Sequence, residues 1–141
     1  QRLLGLGGEA LSQAQRRCCS VPFVPPSAEG RRRLEALVQR MGLTVVQGNR
    51  MGHLLGPDIS KGKALATLKR HLGAEQVKVL ALGDSPNDLP LLEVADIAVV
   101  VPGPDGPHPE LRSGIAAGRF QLAAAPHANG WDEAVRRILR V

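Results

Sequence analysis

The sequence predicts an α/β protein built on a parallel sheet, and three observations carry that reading. Beyond Gly56-Pro57, stretches with helical periodicity alternate with short apolar strands, the rhythm of a sheet wound with helices. Two of those strands, Val77 to Leu82, interrupted only by Lys78, and Ile97 to Val101, are apolar runs rather than alternating ones, as expected where both faces of a sheet are covered. Finally, 141 residues with 43% hydrophobic content are enough to bury a sizeable core without disulfide or metal staples.

Taken in order, Leu11 to Arg17 is weakly helical and Val21 to Pro26 is an extended piece broken by proline. Ser27 to Met41 is a better helix, since Ser27 suits the N-cap and Leu34, Leu37, Val38 and Met41 fall at the spacing of a buried stripe. Arg31 to Arg33 then form its solvated side. Leu43 to Gln47 and Met51 to Leu55 flank Gly48-Asn49-Arg50 and predict a β-hairpin. Past the texture change, Lys61 to Leu72 is helical and closed by Gly73. Val77 to Leu82 is a strand, Leu89 to Val94 a short helix, and Ile97 to Val101 a second strand. Val101 to Pro109 is a Pro/Gly loop and Phe120 to Ala123 a short strand. Trp131 to Leu139 closes the chain as an amphipathic helix that sets Trp131, Ala134, Val135 and Ile138 against the sheet. The expected boundary divides the chain into 1–56 and 57–141.

Composition excludes several classes. No apolar run approaches the roughly 18 residues of a membrane span, so no membrane partner is expected. A net charge of +5 attracts anions, but with one Trp, two Phe and no Tyr there is no base-stacking platform, which argues against nucleic acid and for a small phosphorylated substrate. Cys18 and Cys19 are adjacent, a placement that strains a disulfide and matches no zinc spacing, so a reducing cytoplasm is expected. Oligomeric state is not legible. The chain begins at Gln1 without a signal-peptide pattern, and residues upstream are expected to be missing.

The chemistry concentrates in Gly83-Asp84-Ser85-Pro86-Asn87-Asp88, where oxygen side chains stand at the carboxyl end of a strand, the ligand-presenting end of an open α/β sheet. Ser85, Pro86 and Asp88 are also what a helix start uses, as cap, first residue and capping-box acid. That role leaves Asp84 and Asn87 unexplained, and hard oxygens clustered there suit Mg²⁺. In Ser60-Lys61-Gly62-Lys63, Ser60 fits an N-cap, and two lysines follow at the end of the helix where the dipole disfavours cations. Read alone, they either lie on the surface at small cost or face a phosphate.

Together, Ser60-Lys61-Gly62-Lys63-Ala64 and Gly83-Asp84-Ser85-Pro86-Asn87-Asp88 resemble the third and fourth motifs of haloacid dehalogenase-type phosphatases. Gly83 to Pro90, Val101 to Gly106 and Gly130-Trp131-Asp132-Glu133-Ala134-Val135 are similar to the mannosyl-3-phosphoglycerate phosphatase family within it. So are Gly48-Asn49-Arg50-Met51-Gly52-His53 and Arg17-Cys18-Cys19-Ser20-Val21-Pro22-Phe23. The resemblance implies a partial Rossmann-type core over 57–141 and the end of a cap domain over 1–56. It implies Mg²⁺ as cofactor held by Asp84, with catalytic Lys61, Asp88 and Asn87, and substrate contacts from Arg17, Ser20, Arg50 and His53. A phosphorylated sugar is then the substrate, attacked by an aspartate that forms an aspartyl-phosphate.

Three departures stand out. Val21 replaces the family's Glu and Asn49 a Gly, while the Asp-x-Asp motif that holds the nucleophile and general acid occurs nowhere in the chain. The sequence is therefore read as the C-terminal portion of such an enzyme. The other readings are a sucrose-phosphate phosphatase type, which differs in its cap contacts, and a non-catalytic phosphate- or partner-binding module.

Overall fold

The structure, a computed structural model, describes residues 7–16, 18–24, 27–48 and 51–140. It divides into two units, Gln1–Ile59 and Ser60–Val141.

In the first unit, helix α1 (Gly8–Gln15) precedes strand β1 (Ser20–Phe23). Helix α2 (Ala28–Gln39) and strands β2 (Thr44–Gln47) and β3 (Gly52–Leu55) follow. The hairpin forms as its turn residues predict: β2 and β3 pair antiparallel with Gln47 opposite Gly52, and Gly48 N donates to Met51 O at 2.9 Å. β1 adds to the other side of β3, giving the order β1-β3-β2. Ser27 caps α2, its Oγ accepting from Gly30 N at 3.3 Å. Arg31 and Arg33 pair with Glu35 and Glu29 one turn away, on the solvated side as expected. The predicted buried stripe is narrower than its spacing suggests. Val38 is buried, but Leu37 and Met41 are 56% and 67% exposed. The helix ends at Gln39, so Met41 lies in the turn beyond it, off the helical period, and Leu37 is rotated about 100° from the face that Val38 occupies.

The second unit is a parallel sheet in the order β4-β5-β6, made by β4 (Leu80–Gly83), β5 (Ile97–Val100) and β6 (Gln121–Leu122). Its helices are α3 (Lys61–His71), α4 (Leu89–Val94), α5 (Pro109–Ala116) and α6 (His127–Leu139). Strand β5 is central and apolar on both faces for a physical reason. Ala98 and Val100 pack with Ala81, Leu92, Leu111 and Phe120 in one cluster, while Val99 packs with Val101, Ala123 and Ala134 in another. Helices α4 and α5 feed the first cluster and α6 the second, so the sheet is covered on both sides.

Three expectations need correction. Strand β4 begins at Leu80, because the chain turns at Ala74–Val77 with Val77 N on Ala74 O at 3.1 Å, leaving Val77 58% exposed. Helix α5 was not anticipated: His108 Nδ1 caps it by accepting from Glu110 N at 3.3 Å, and its Leu111 is fully buried. Helix α6 starts at His127, four residues ahead of Trp131, and its buried face is Gly130, Ala134 and Ile138, whereas Trp131 is 51% exposed.

Candidate active site

Strand β4 ends at Gly83, and Asp84 follows it, exposed at the carboxyl end of the sheet. The chain then turns through a short 3₁₀ segment, Pro86–Asp88, into α4. Asp88 holds this turn together. Its buried Oδ2 accepts from the backbone N–H of Asp84 at 3.0 Å and of Ser85 at 3.2 Å, the capping-box arrangement. The Ser85 hydroxyl donates to Asn87 Oδ1 at 2.6 Å, with Asp88 Oδ2 at 3.2 Å as its second acceptor. Asp88 Oδ1 points the other way and takes the Lys61 ammonium in an ion pair. The helix-start role and the site role therefore fall on different oxygens of one carboxylate.

Lys61 reaches that oxygen because α3 is fixed at its first turn. Ser60 Oγ caps the helix by accepting from Lys63 N at 3.2 Å, which makes Lys61 its first residue. Gly62 packs directly on α4, and a Cβ there would collide with the Pro90 carbonyl. Gly83 plays the same part under the turn, since a Cβ on it would strike the Asp88 side chain. Burial alone pushes the Asp88 carboxyl up. The hydrogen bond from Lys61, those from Asp84 N and Ser85 N and the Lys61 charge outweigh it and hold the group below the ordinary carboxylate value.

These groups form one side of a cleft of about 350 Å³. Lys61, Asp84 and Asp88 line it together with Leu82 and Gly83 at the strand end, Val101, and the start of α6 with His127, Ala128 and Trp131. The α6 entry is fixed by His127 N, which donates to Pro102 O at 3.1 Å with His127 at φ 54°. Neither His127 nor Trp131 was assigned a site role from sequence. The Gly130-Trp131 pair carried a family resemblance, but periodicity put the indole in the core. Histidine is among the non-glycine residues that adopt the left-handed backbone more readily, but its presence in the sequence does not mark where that conformation falls.

Of the predicted site residues, Lys61, Asp84 and Asp88 are brought together in the cleft, and Asn87 lies in the turn beside them, tied to Ser85. Arg17 and Arg50 lie outside the described residues. Ser20 and His53 belong to the antiparallel sheet of the first unit, where Pro22 pairs with His53 and Ser20 with Leu55. Directly opposed residues share a face and the face repeats every second residue, so Ser20 and His53 stand on the same side of that sheet as diagonal neighbours.

Asp84 offers the cleft a hard carboxylate oxygen. Among the described residues no group of three or more His, Cys, Asp or Glu side chains converges there. One carboxylate, completed by water and phosphate oxygens, is a coordination habit of Mg²⁺, and the residues present fit that ion.

A family model of the haloacid dehalogenase-like hydrolase matches residues 28–102, more than half of the chain, and the protein belongs to that family. The chain is 28% identical over 142 residues to a glucosyl-3-phosphoglycerate/mannosyl-3-phosphoglycerate phosphatase of Persephonella marina, covering 98% of this chain and 51% of that relative. It is 39% identical over 87 residues to a phosphoglycolate phosphatase of Methanothermobacter thermautotrophicus, covering 62% of this chain and 36% of that one. In fold it is similar to the sucrose-phosphatase of Synechocystis solved with sucrose and phosphate, with a TM-score of 0.67 at 24% identity over 87% of this chain and 53% of that structure. The chain thus spans about half or less of the length of these relatives.

Proposed function

We propose that the full-length protein is a Mg²⁺-dependent phosphatase that hydrolyses mannosyl-3-phosphoglycerate to mannosylglycerate and phosphate in the cytoplasm. In this reading 1–56 is the end of the cap domain, and 57–141 is the second half of the catalytic core. The observation that carries it is the Lys61–Asp88 ion pair, fastened by backbone N–H groups at the end of β4 beside Asp84, in a cleft sized for a small ligand.

Asp84 would hold the ion, which when bound would supply charge to neutralise the phosphoryl oxygens. Lys61 presents its ammonium to the same group and offsets negative charge as it moves between the attacking and leaving oxygens. Asp88 keeps Lys61 aimed, because its second oxygen is anchored to the turn and cannot swing away. Asn87 is held by Ser85 at the edge of the site, where its amide positions water. Arg17, Ser20, Arg50 and His53 contact the glycerate carboxylate and the sugar hydroxyls, Arg50 as the bidentate partner of the carboxylate. The nucleophilic and acid carboxylates come from an Asp-x-Asp motif outside this chain.

A second substrate reading is phosphoglycolate, favoured by the 39% identity to the phosphoglycolate phosphatase. Both substrates are phosphomonoesters that carry a carboxylate. The test is phosphate release by the full-length protein on mannosyl-3-phosphoglycerate, phosphoglycolate and sucrose 6-phosphate. A kcat/KM highest on the first supports the proposal, a preference for the second moves it to the two-carbon acid, and no release from any of them refutes it.

A further inference from the structure

The proposed reaction uses the charged lining of the cleft and leaves its aromatic lining without a role. Trp131, the single tryptophan of the chain, is 51% exposed and belongs to neither core cluster, and among the described residues its indole N–H makes no hydrogen bond. Its place in the cleft is built. His127 and Ala128 stand four and three residues before it, on one face of α6, and all three side chains line the cavity. The helix cannot roll that face away. Gly130 is seated against the Ala125 carbonyl, which a Cβ would strike, and Ala134 is buried one turn further on. At about 350 Å³ the cavity is roughly ten times a water molecule's share of the liquid, so it has room for an organic group beside a phosphoryl group.

We propose that Trp131 is the platform on which the sugar ring of the substrate stacks while the phosphoryl group lies at Lys61 and Asp84, an inference that takes its ligand from the phosphatase reading above. The indole carries its negative potential on the ring face, and a sugar ring turns outward C–H bonds polarised by their neighbouring oxygens, so the two faces attract and exclude water between them. Such a contact holds a ring without reading the configuration of its hydroxyls. Trp131 therefore sets affinity for the organic group, and discrimination between sugars stays with hydrogen-bonding side chains. Because the Gly130 seat fixes the helix that carries the indole, little ordering is left to be done when the ring arrives.

The experiment titrates the full-length protein, by calorimetry in Mg²⁺ buffer, separately with mannosylglycerate and with inorganic phosphate. Trp131→Ala should weaken mannosylglycerate binding about 5- to 10-fold and leave phosphate binding within about 2-fold, while Trp131→Phe, which keeps an aromatic face, should stay within about 3-fold of the parent for both. The indole is half exposed and outside the core clusters, so both variants should keep the parent's thermal midpoint, which separates lost binding from lost fold. No mannosylglycerate binding by the parent, unchanged binding in Trp131→Ala, an equal loss for phosphate, or a loss in Trp131→Phe as large as in Trp131→Ala would overturn the platform. Phosphate release from mannosyl-3-phosphoglycerate, assayed on the same samples, judges the other reading separately: mannosylglycerate binding that depends on Trp131 in a parent that releases no phosphate supports the platform and refutes the phosphatase.

Discussion

The two units hold the proposed site residues in opposite ways. In the parallel-sheet unit, Lys61, Asp84 and Asp88 sit at the end of strands whose neighbours are fully buried, with Val99, Val100, Leu92 and Leu111 at or near zero exposure. Every contact there is over-determined: Asp88 cannot move without releasing two backbone N–H groups, and α3 cannot rise off α4 without opening the Gly62 approach. In the antiparallel unit, three short strands carry Ser20 and His53, and among the described residues of that unit Val38 is the buried hydrophobic side chain. Charge placement for chemistry needs the rigid platform. On the proposed reading, the contacts that distinguish one sugar or acid from another rest on the lighter one. Substitutions in the first region should therefore strike turnover and stability, and those in the second substrate affinity.

The contrast is broken most severely at Asp84. In the full-length protein, Asp84→Asn should lower kcat on the order of 10³-fold, because an amide lacks the charge that holds a hard cation and several kcal/mol of charge stabilisation go with it. Steady-state phosphate release at saturating Mg²⁺ checks this, and activity within a few-fold of the parent would remove Asp84 from the site. Lys61→Ala is next, with an expected loss of about 10² to 10³ in kcat and an intact far-ultraviolet spectrum. Turnover that survived while only the melting point fell would make Lys61 an ordinary helix-start lysine.

Gly62→Ala sharpens the comparison without touching a charged group. The added methyl meets the Pro90 backbone, so α3 must shift at a cost of about 1 to 3 kcal/mol, and Lys61 shifts with it. Denaturant melts and kcat should fall together; an unchanged kcat would show that the Lys61–Asp88 geometry is not critical. The pH dependence of stability follows from Asp88. Its folded carboxyl titrates below the ordinary value, so its contribution is complete above a pH of about 4 and is lost as pH falls through the folded value. Acid melts of the parent should lose stability more steeply below about pH 4 than those of Asp88→Asn, and parallel curves would contradict the ion pair. The smallest effect is expected in the other unit, where Ser20→Ala or His53→Ala should raise KM about 2- to 10-fold with kcat nearly constant, the size of one hydrogen bond.

Legibility from sequence followed the same division. Strand β5 reads directly as Ile97 to Val101 because burial on both faces leaves an apolar run, and α3 is announced by the Ser60 cap. The β2–β3 hairpin is announced by Gly48 and the residues after it. Helix α5 escaped because its cap is His108, an uncommon one, and Ser113-Gly114 interrupts its apolar period. Val77 was misread for the opposite reason: it is apolar and adjacent to a strand, and only the turn at Ala74 reveals that the sheet has not yet begun. At the site, the residue types at the end of β4 were legible as oxygen donors. The Lys61–Asp88 pair joins residues 27 apart, which no local spacing encodes, so the resemblance to a family suggested it and the packing of α3 on α4 explains it. The cleft wall made by His127 and Trp131 depends on where α6 begins, and the periodicity of that helix points the indole the wrong way.

The most direct test of the account is phosphate release from mannosyl-3-phosphoglycerate by the full-length protein before and after removal of divalent metal with a chelator, followed by readdition of Mg²⁺. Release should stop on chelation and return with Mg²⁺ in the parent, and Mg²⁺ should fail to restore it in Asp84→Asn. Release that continues undiminished in chelator, or returns equally in Asp84→Asn, would contradict a metal-assisted phosphoryl-transfer site at the end of β4.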